Sequence, residues 1–301
     1  LNRDITIALL NAFPKNSLSV ADPMAGTGIR AIRMLRELPR GKIKLIAVND
    51  NDPKAFKAIK RNLQLNKIPL GKNIKVSCQD ASLFLLSSFG FDFIDIDPFG
   101  TPNPFLDAAA KRLSRGGILA VTATDTAALA GTSPDACLRK YWAVPRRGSS
   151  QHEIGLRILI RKIQLVGAQY EKGLIPVFSY SKEHYLRVFL QCTKGKKFVD
   201  KLLKSHGMFK NAGPLWLGNL WDPGLVKSMA SSSLQKNFSK EFGALMRLIE
   251  GESQVPSAGV FSIHEACERL RLKAVPRTES ILESIHKSGN AAARTHFIDD
   301  G

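Results

Sequence analysis

The tetrad Asp97-Pro98-Phe99-Gly100 combines residue types suited to one kind of chemistry. An amino group on an aromatic base is a poor nucleophile, because its lone pair is delocalised into the ring. To attack an electrophilic carbon it needs an acceptor that holds, and finally takes, its proton. A carboxylate at Asp97 meets that need. It also offsets the positive charge that develops on the nitrogen. The Pro98 carbonyl is a candidate second acceptor. Phe99 offers a flat face to a base removed from its stack, as chemistry on a base requires. Gly100 lets the turn close without crowding. The bland alternative is a strand-to-helix turn with a packed phenylalanine.

Three more carboxylates stand in comparable places. Asp22 opens the run Asp22-Pro23-Met24-Ala25-Gly26-Thr27-Gly28-Ile29-Arg30. Gly26 and Gly28 allow close approach of a ligand or positive φ. The third glycine of GxGxxG is absent, with Arg30 and Ala31 in its place. A nicotinamide dinucleotide also needs a helix N-terminus free for its pyrophosphate. Adenosylmethionine has no phosphate and needs only room for its amino-acid part, so Asp22, Thr27, Gly28 and Arg30 are candidate cofactor residues. Asp50 is placed for ribose hydroxyls, which serves either cofactor. Asp80, with Ala81, is placed for the adenine edge. Asp95 shares a sheet face with Asp97, because strand side chains alternate; it is either a supporting acceptor or the partner of an arginine. Asp125 and Arg3 are further candidates for the pocket, Arg3 for the cofactor carboxylate or a phosphate.

These residues need a frame. Apolar runs at Leu18–Ala21, Lys44–Val48, Ile74–Ser77, Phe91–Ile96 and Gly117–Thr122 predict strands. Helices are predicted at Ile29–Leu38, Pro53–Leu65 and Pro104–Leu113. That alternation indicates a mostly parallel sheet covered on both faces, with ligands outside the carboxyl ends of the strands. The four aspartates gather there. Helix capping explains one or two of them, but is a poor account of all four. A helix through Leu138–Trp142, a longer one at Glu153–Tyr170 and a hairpin at Leu174–Tyr180 and Tyr185–Cys192 extend this unit. We place its boundary at 192, with 193–301 as a smaller α/β or helical domain. There, helices are expected in the GKKFVDKLLKSH segment, at Leu234–Glu250, from a capping box at Ser262 and Glu265, and at Thr278–Lys287. With the arm Arg294–Phe297, the last two either bind RNA or simply pack.

The chain has 301 residues and a formal net charge of +18. The excess is distributed: residues 1–180 hold 26 basic and 14 acidic side chains. A folded chain this basic suits a polyanionic partner. Arg139, Lys140, Arg146 and Arg147 surround Tyr141 and Trp142, a mixture suited to phosphate contact and base stacking. A solvated loop above a core tryptophan is the alternative. Trp216 and Trp221 read as packing residues. No apolar run is long enough for a bilayer. The four cysteines are far apart and no pair has CxxC spacing, so no metal site is expected. His152-Glu153 is not the start of HExxH, because residue 156 is Leu. Lone thiols point to a reducing compartment, the cytoplasm.

Taken together, LNRD (1–4), DPMAGTGIRAIR (22–33), NDND (49–52), CQDA (78–81), FIDIDPFGTP (93–102), VTATD (121–125), CLRKYWAVPRRG (137–148), HEIGLRIL (152–159), GPLWLG (213–218) and ARTHF (293–297) resemble, in order, the tRNA (guanine-26-N2)-dimethyltransferases, the Trm1 family, and its archaeal members most. The resemblance implies a class I, Rossmann-like methyltransferase domain and a family-specific C-terminal domain. It implies methyl transfer from S-adenosylmethionine to N2 of guanosine 26 in tRNA, without a membrane or an obligate protein partner, by a monomer. It carries over Asp97 as the catalytic carboxylate, Phe99 as base-pocket lining, Asp50 on the ribose, Asp80 by the adenine and Arg3 at the cofactor. Ala25-Gly26 departs from the Ser-Ala found in many relatives. Two alternatives stand: an adenine-N6 methyltransferase, against which Phe99 in place of a second proline argues, and a non-catalytic RNA-binding protein on the same fold.

Overall fold

The computed structural model describes residues 1–232, 237–255, 258–272 and 274–298. Helix α1 (Asn2–Ala12) leads into β1 (Leu18–Asp22), α2 (Ile29–Glu37), β2 (Ile43–Asn49), α3 (Pro53–Leu65), β3 (Ile74–Ser77), α4 (Ala81–Leu86), β4 (Phe91–Ile96), α5 (Asn103–Arg112) and β5 (Leu113–Ala123). Then come α6 (Thr126–Leu129), α7 (Pro134–Tyr141), α8 (Gln151–Ala168), β6 (Lys172–Lys182) and β7 (Tyr185–Lys194). The remainder holds α9 (Lys196–Leu203), β8 (His206–Phe209), β9 (Ala212–Trp216), α10 (Pro223–Ala230), α11 (Lys240–Glu252), α12 (Ile263–Leu270) and α13 (Thr278–Lys287).

The sheet runs β3-β2-β1-β4-β5-β7-β6. Its first five strands are parallel, and β7 is antiparallel to both β5 and β6. This is the expected mostly parallel, Rossmann-like sheet, and the hairpin extends it as expected. The reason is visible in the strands. Ile118–Val121 of β5 are buried without alternation, as a strand covered on both faces must be. The predicted bounds of β3, β4 and α3 match the observed ones. The predicted fifth strand begins earlier than expected, at Leu113.

Each sheet face has its own apolar layer. One gathers Leu9, Met34 and Ile59 with Met229 and Phe242. The other gathers Leu106, Leu159 and Leu190 with Trp216 and Phe297. Residues beyond 192 therefore contribute to both layers, and β7 itself runs on to Lys194.

Some elements are absent from the sequence reading. Helix α1 is buried from Asp4 to Leu10, packed against α2 and α10; with Asp4 and Thr6 buried among its apolar residues, its sequence shows no clear amphipathic period. Strands β8 and β9 form a hairpin closed by Lys210 and Asn211, both at positive φ (50° and 62°), the pattern of a two-residue primed turn. Positions 234–236 of the helix expected at Leu234–Glu250 lie outside the described residues, and the described helix begins at Lys240. Helix α12 is capped as expected, Ser262 Oγ accepting from the Glu265 N–H at 3.2 Å. The box is not reciprocal: the Glu265 carboxylate accepts from the Ser149 N–H and hydroxyl at 3.3 and 2.8 Å. The closing arm packs. His296 and Thr295 engage Glu252, Arg294 pairs with Glu279, and Phe297 is buried beside Trp221.

Candidate active site at the switch point of the sheet

Strand order reverses between β1 and β4, which opens a crevice at their carboxyl ends. The turn after β1 enters from one side. Gly26 (φ 56°) and Gly28 (φ 73°) are both left-handed. A side chain at Gly28 would also meet Ile59 of α3 at 3.2 Å, whereas Gly26 faces open space. The Gly26 N–H donates to Asp50 Oδ2 at 2.8 Å, and the Asp52 N–H to Asp50 Oδ1 at 3.0 Å. Asp50 is thus fixed beside the turn. Buried Asn49 locks three strand ends together: its amide donates to the Pro23 and Gln79 carbonyls, and its oxygen accepts from Ser77 and Gln79. Thr27 is exposed, and its carbonyl accepts from Asn62. Asp80 is exposed and caps α4 through the Leu83 N–H at 2.9 Å, with buried Ala81 behind it.

Beneath the turn lies a buried charge network. Arg187 of β7, fully buried, makes a two-pronged pair with Asp95 at 3.0 and 2.7 Å and donates to Thr122 and Thr6. Arg30 reaches Asp95 at 3.1 Å with one nitrogen and Asp97 with the other. It also donates to Asn2 and Thr6 of α1. Burial alone would raise the Asp95 carboxyl; Arg187 and Arg30 outweigh it and hold it below its ordinary value. Asp22 has no such pairing. Burial pushes it up to about 7, and its Oδ2 is buried without a hydrogen-bond partner. Of the two readings of Asp95, pairing with an arginine holds, and it has two partners, Arg187 and Arg30. Arg30, expected at the cofactor, instead turns inward, and its guanidinium is spent on Asp95, Asp97 and α1.

The tetrad is held from the other side. The Gly100 N–H donates to Thr124 Oγ1 at 2.6 Å, and the Thr124 N–H to the Gly100 carbonyl at 3.0 Å. Gly100 takes φ 80°, which only glycine adopts without strain. The Tyr141 hydroxyl bonds Thr101 and Asp125 at 3.0 and 3.2 Å, and Lys140 pairs with Asp125 at 2.9 Å. Three segments that stand apart in sequence (DPFGTP, VTATD and CLRKY) thus converge. At the tip of this clamp the Phe99 ring is fully exposed, while Asp97 and Pro98 are half-buried. The packed-phenylalanine alternative does not hold.

The remaining candidates fall into place unevenly. Arg3 is exposed on α1, next to the Asn2 that accepts from Arg30. Arg139 and Arg147 are exposed, and Arg146 donates to the Lys210 carbonyl at 2.7 Å. Lys140, expected to face RNA, is also the partner of Asp125. Trp142 is half exposed, with Lys162 Nζ 3.0 Å from its ring centroid. Trp216 and Trp221 donate to the Asn219 and Ser179 carbonyls and pack, as expected. Arg187, Asn49 and Thr124 were missed. Asn49 and Thr124 carried a signal, as parts of NDND and VTATD; Arg187 carried none.

A family model described as N2,N2-dimethylguanosine tRNA methyltransferase matches residues 1–212 and 204–301. This chain belongs to that family. Among the most similar relatives, the tRNA (guanine(26)-N(2)/guanine(27)-N(2))-dimethyltransferase of Aquifex aeolicus is 35% identical over 336 residues, covering 100% of this chain and 84% of its own. The tRNA (guanine(26)-N(2))-dimethyltransferase of Methanocaldococcus jannaschii is 36% identical over 325 residues, covering 99% and 86%. The solved structure of Trm1 from Pyrococcus horikoshii, a complex with S-adenosyl-L-methionine, superposes with a TM-score of 0.90 at 33% identity, over 100% of this chain and 88% of that one. Class I fold, enzyme family and methyl donor agree with the expectations drawn from the sequence.

Proposed function

We propose that this chain transfers methyl groups from S-adenosylmethionine to the exocyclic N2 of guanosine 26 in tRNA. The observation that carries the reading is the exposed Phe99 ring held beside Asp97 at the switch point, in a member of this family. A solvent-exposed phenylalanine on a clamped turn has no packing role. Its use is to receive a flat ring.

The cofactor fits the groups present. Gly26 leaves open space above the turn, Asp50 is fixed beside it with acceptor capacity suited to a ribose diol, and Asp22 Oδ2 is a buried acceptor without a partner. Asp22, Thr27, Gly28, Asp50, Asp80 and Ala81 would hold the donor, with Arg3 at its carboxylate end. Bound there, it supplies an electrophilic methyl group. Asp97 accepts an N–H of the guanine amino group and takes its proton as the nitrogen lone pair is committed to the new bond. Arg30 occupies one Asp97 oxygen and so fixes the carboxylate in place. The Pro98 carbonyl accepts the second N–H. Phe99 stacks on the base, and Asp125, held by Lys140 and Tyr141, borders the pocket. Arg139, Arg146 and Arg147 meet the RNA backbone. On this reading residues 1–192 carry catalysis and 193–301 RNA contact, in a cytoplasmic monomer. Among the described residues no helix is long and apolar enough to cross a membrane.

Labelled methyl transfer to tRNA transcripts tests the proposal. Transfer to the guanosine-26 transcript, with N2-methylated guanosine after digestion, is expected. Equal transfer when that nucleoside is adenosine would refute it.

A further inference from the structure

A cleft of about 550 Å3 separates the loop before α8 from α12. Arg146, Arg147, Lys210, Phe261, Arg269 and Glu265 line it. Its four cations come from three elements: the loop, the β8–β9 turn and α12. One carboxylate faces them, and the hydroxyl and N–H of Ser149 already occupy it. Like charges brought together by packed backbone repel, and they raise the local affinity for an anion. Lys210 is held there deliberately, its ammonium donating to Ser150 Oγ and the Val260 carbonyl, both at 3.2 Å. The second feature is the ring of Phe261, 77% exposed and 4.9 Å from the Lys210 ammonium. Converging cations call for phosphates, and an exposed ring in the same lining calls for a planar partner. Nucleotides in an unpaired strand provide both; a duplex hides its base faces.

We propose that this cleft binds an unpaired segment of tRNA distant from the nucleoside that reacts, a second contact resting on the tRNA reading above. The loop gives it a fixed relation to the reaction site. At one end Tyr141 is tied to Asp125 and Thr101, next to the tetrad. In the middle the Arg146–Arg147 backbone lies tight against Gly131, where an added Cβ would come within 3.2 Å. At the other end Glu265 ties the loop to α12. RNA seated in the cleft is therefore held at a set distance from Asp97.

The test is tRNA affinity as a function of salt for Phe261→Ala, Arg269→Ala and Arg269→Lys, with adenosylmethionine affinity as the control for folding. Loss of the ring should weaken tRNA binding by at least about fivefold. Arg269→Ala should lower the slope of log affinity against log salt by about one, the effect of one phosphate contact, and Arg269→Lys should restore it. A hairpin carrying only the target guanosine and its flanking stem should bind all of these variants as it binds the parent. Unchanged tRNA affinity and slope in the alanine variants would overturn the proposal, as would an equal loss on the hairpin. If Phe261→Ala also loses cofactor affinity, the Arg269 pair decides. Failure of the parent chain to methylate tRNA would instead sink the proposed function; a parent that methylates while the alanine variants bind tRNA undiminished sinks the cleft alone.

Discussion

Asp97, Asp95 and Asp22 stand close together, yet their surroundings separate them. Asp95 keeps its charge against two arginines, Asp97 shares one of these, and Asp22 is buried with an oxygen unpartnered. Asp22 has an ordinary value of 3.8 and sits near 7 in the fold. Between those values the folded state keeps a proton that the unfolded chain has lost. Its contribution is therefore complete below 3.8 and declines as pH rises toward 7. Asp22→Asn should match the parent in thermal unfolding at the acid end and exceed it above neutrality. At about 1.4 kcal/mol per pKa unit, the gap should be on the order of a few kcal/mol. A pH-independent difference between the two would refute this. Phe99→Ala should do the reverse of a core substitution: unfolding within about 0.5 kcal/mol of the parent, because the ring is exposed, but methyl transfer lower by at least about tenfold, from lost stacking. Retained transfer would remove Phe99 from the base pocket. The placing of Asp97 and Asp50 at the carboxyl ends of the strands was legible because each follows an apolar run. The partner of Asp95 was not, since Arg187 lies on a strand ninety-two positions later and no local pattern links them.

Helix α8 shows where element-level reading succeeds and where it stops. Its length and period were plain in the sequence, but the reason for Gly155 was not. Helix propensity favours alanine there by about 1 kcal/mol. Packing opposes it, because an added Cβ would lie 2.8 Å from the Leu129 carbonyl of α6. A backbone atom cannot give way as a flexible side chain does, so Gly155→Ala should be net destabilising, by about 1–3 kcal/mol, in urea unfolding. A stabilised variant would mean that α6 moves freely. Similar reasoning explains the elements that were missed. Helix α1 is buried through two turns, from Asp4 to Leu10, polar Asp4 and Thr6 included, so no polar face marks it in the sequence. The β8–β9 turn uses Lys210 and Asn211 where the strongest hairpin signals contain glycine. In both cases tertiary contact supplies what the local sequence does not announce. Strand β4 was read correctly because Phe91, Phe93, Ile94 and Ile96 are buried and a polar stop follows at Asp97; the edge strand β3 instead shows alternation, with exposed Lys75 between half-buried Ile74 and Val76.

At the scale of the molecule, the question is whether the boundary drawn at 192 separates two folding units. The change in pattern there is real, for the strands become short and helices dominate. The apolar layers ignore it. Val226, Met229, Phe242 and Ile249 close the layer that begins with Ile5 and Leu9, and Leu215, Trp216 and Leu220 close the layer that holds α8. Asp4 of α1 likewise accepts from the Ser239 N–H and hydroxyl at 3.1 and 2.8 Å, across 235 positions of sequence. A chain ended at residue 192 would expose both layers. Losing several buried side chains at about 1.5–3 kcal/mol each exceeds a typical total stability of about 5–15 kcal/mol. The fragment 1–192 should therefore show no cooperative unfolding transition, and should bind an apolar dye that the full chain excludes. A chain ended after α11, which keeps both closing sets but loses Phe297, should still unfold cooperatively at a lower temperature. Sharp two-state unfolding of the 192-residue fragment would show that the sequence boundary is also a folding boundary, and that the shared layers are docked surfaces rather than one core.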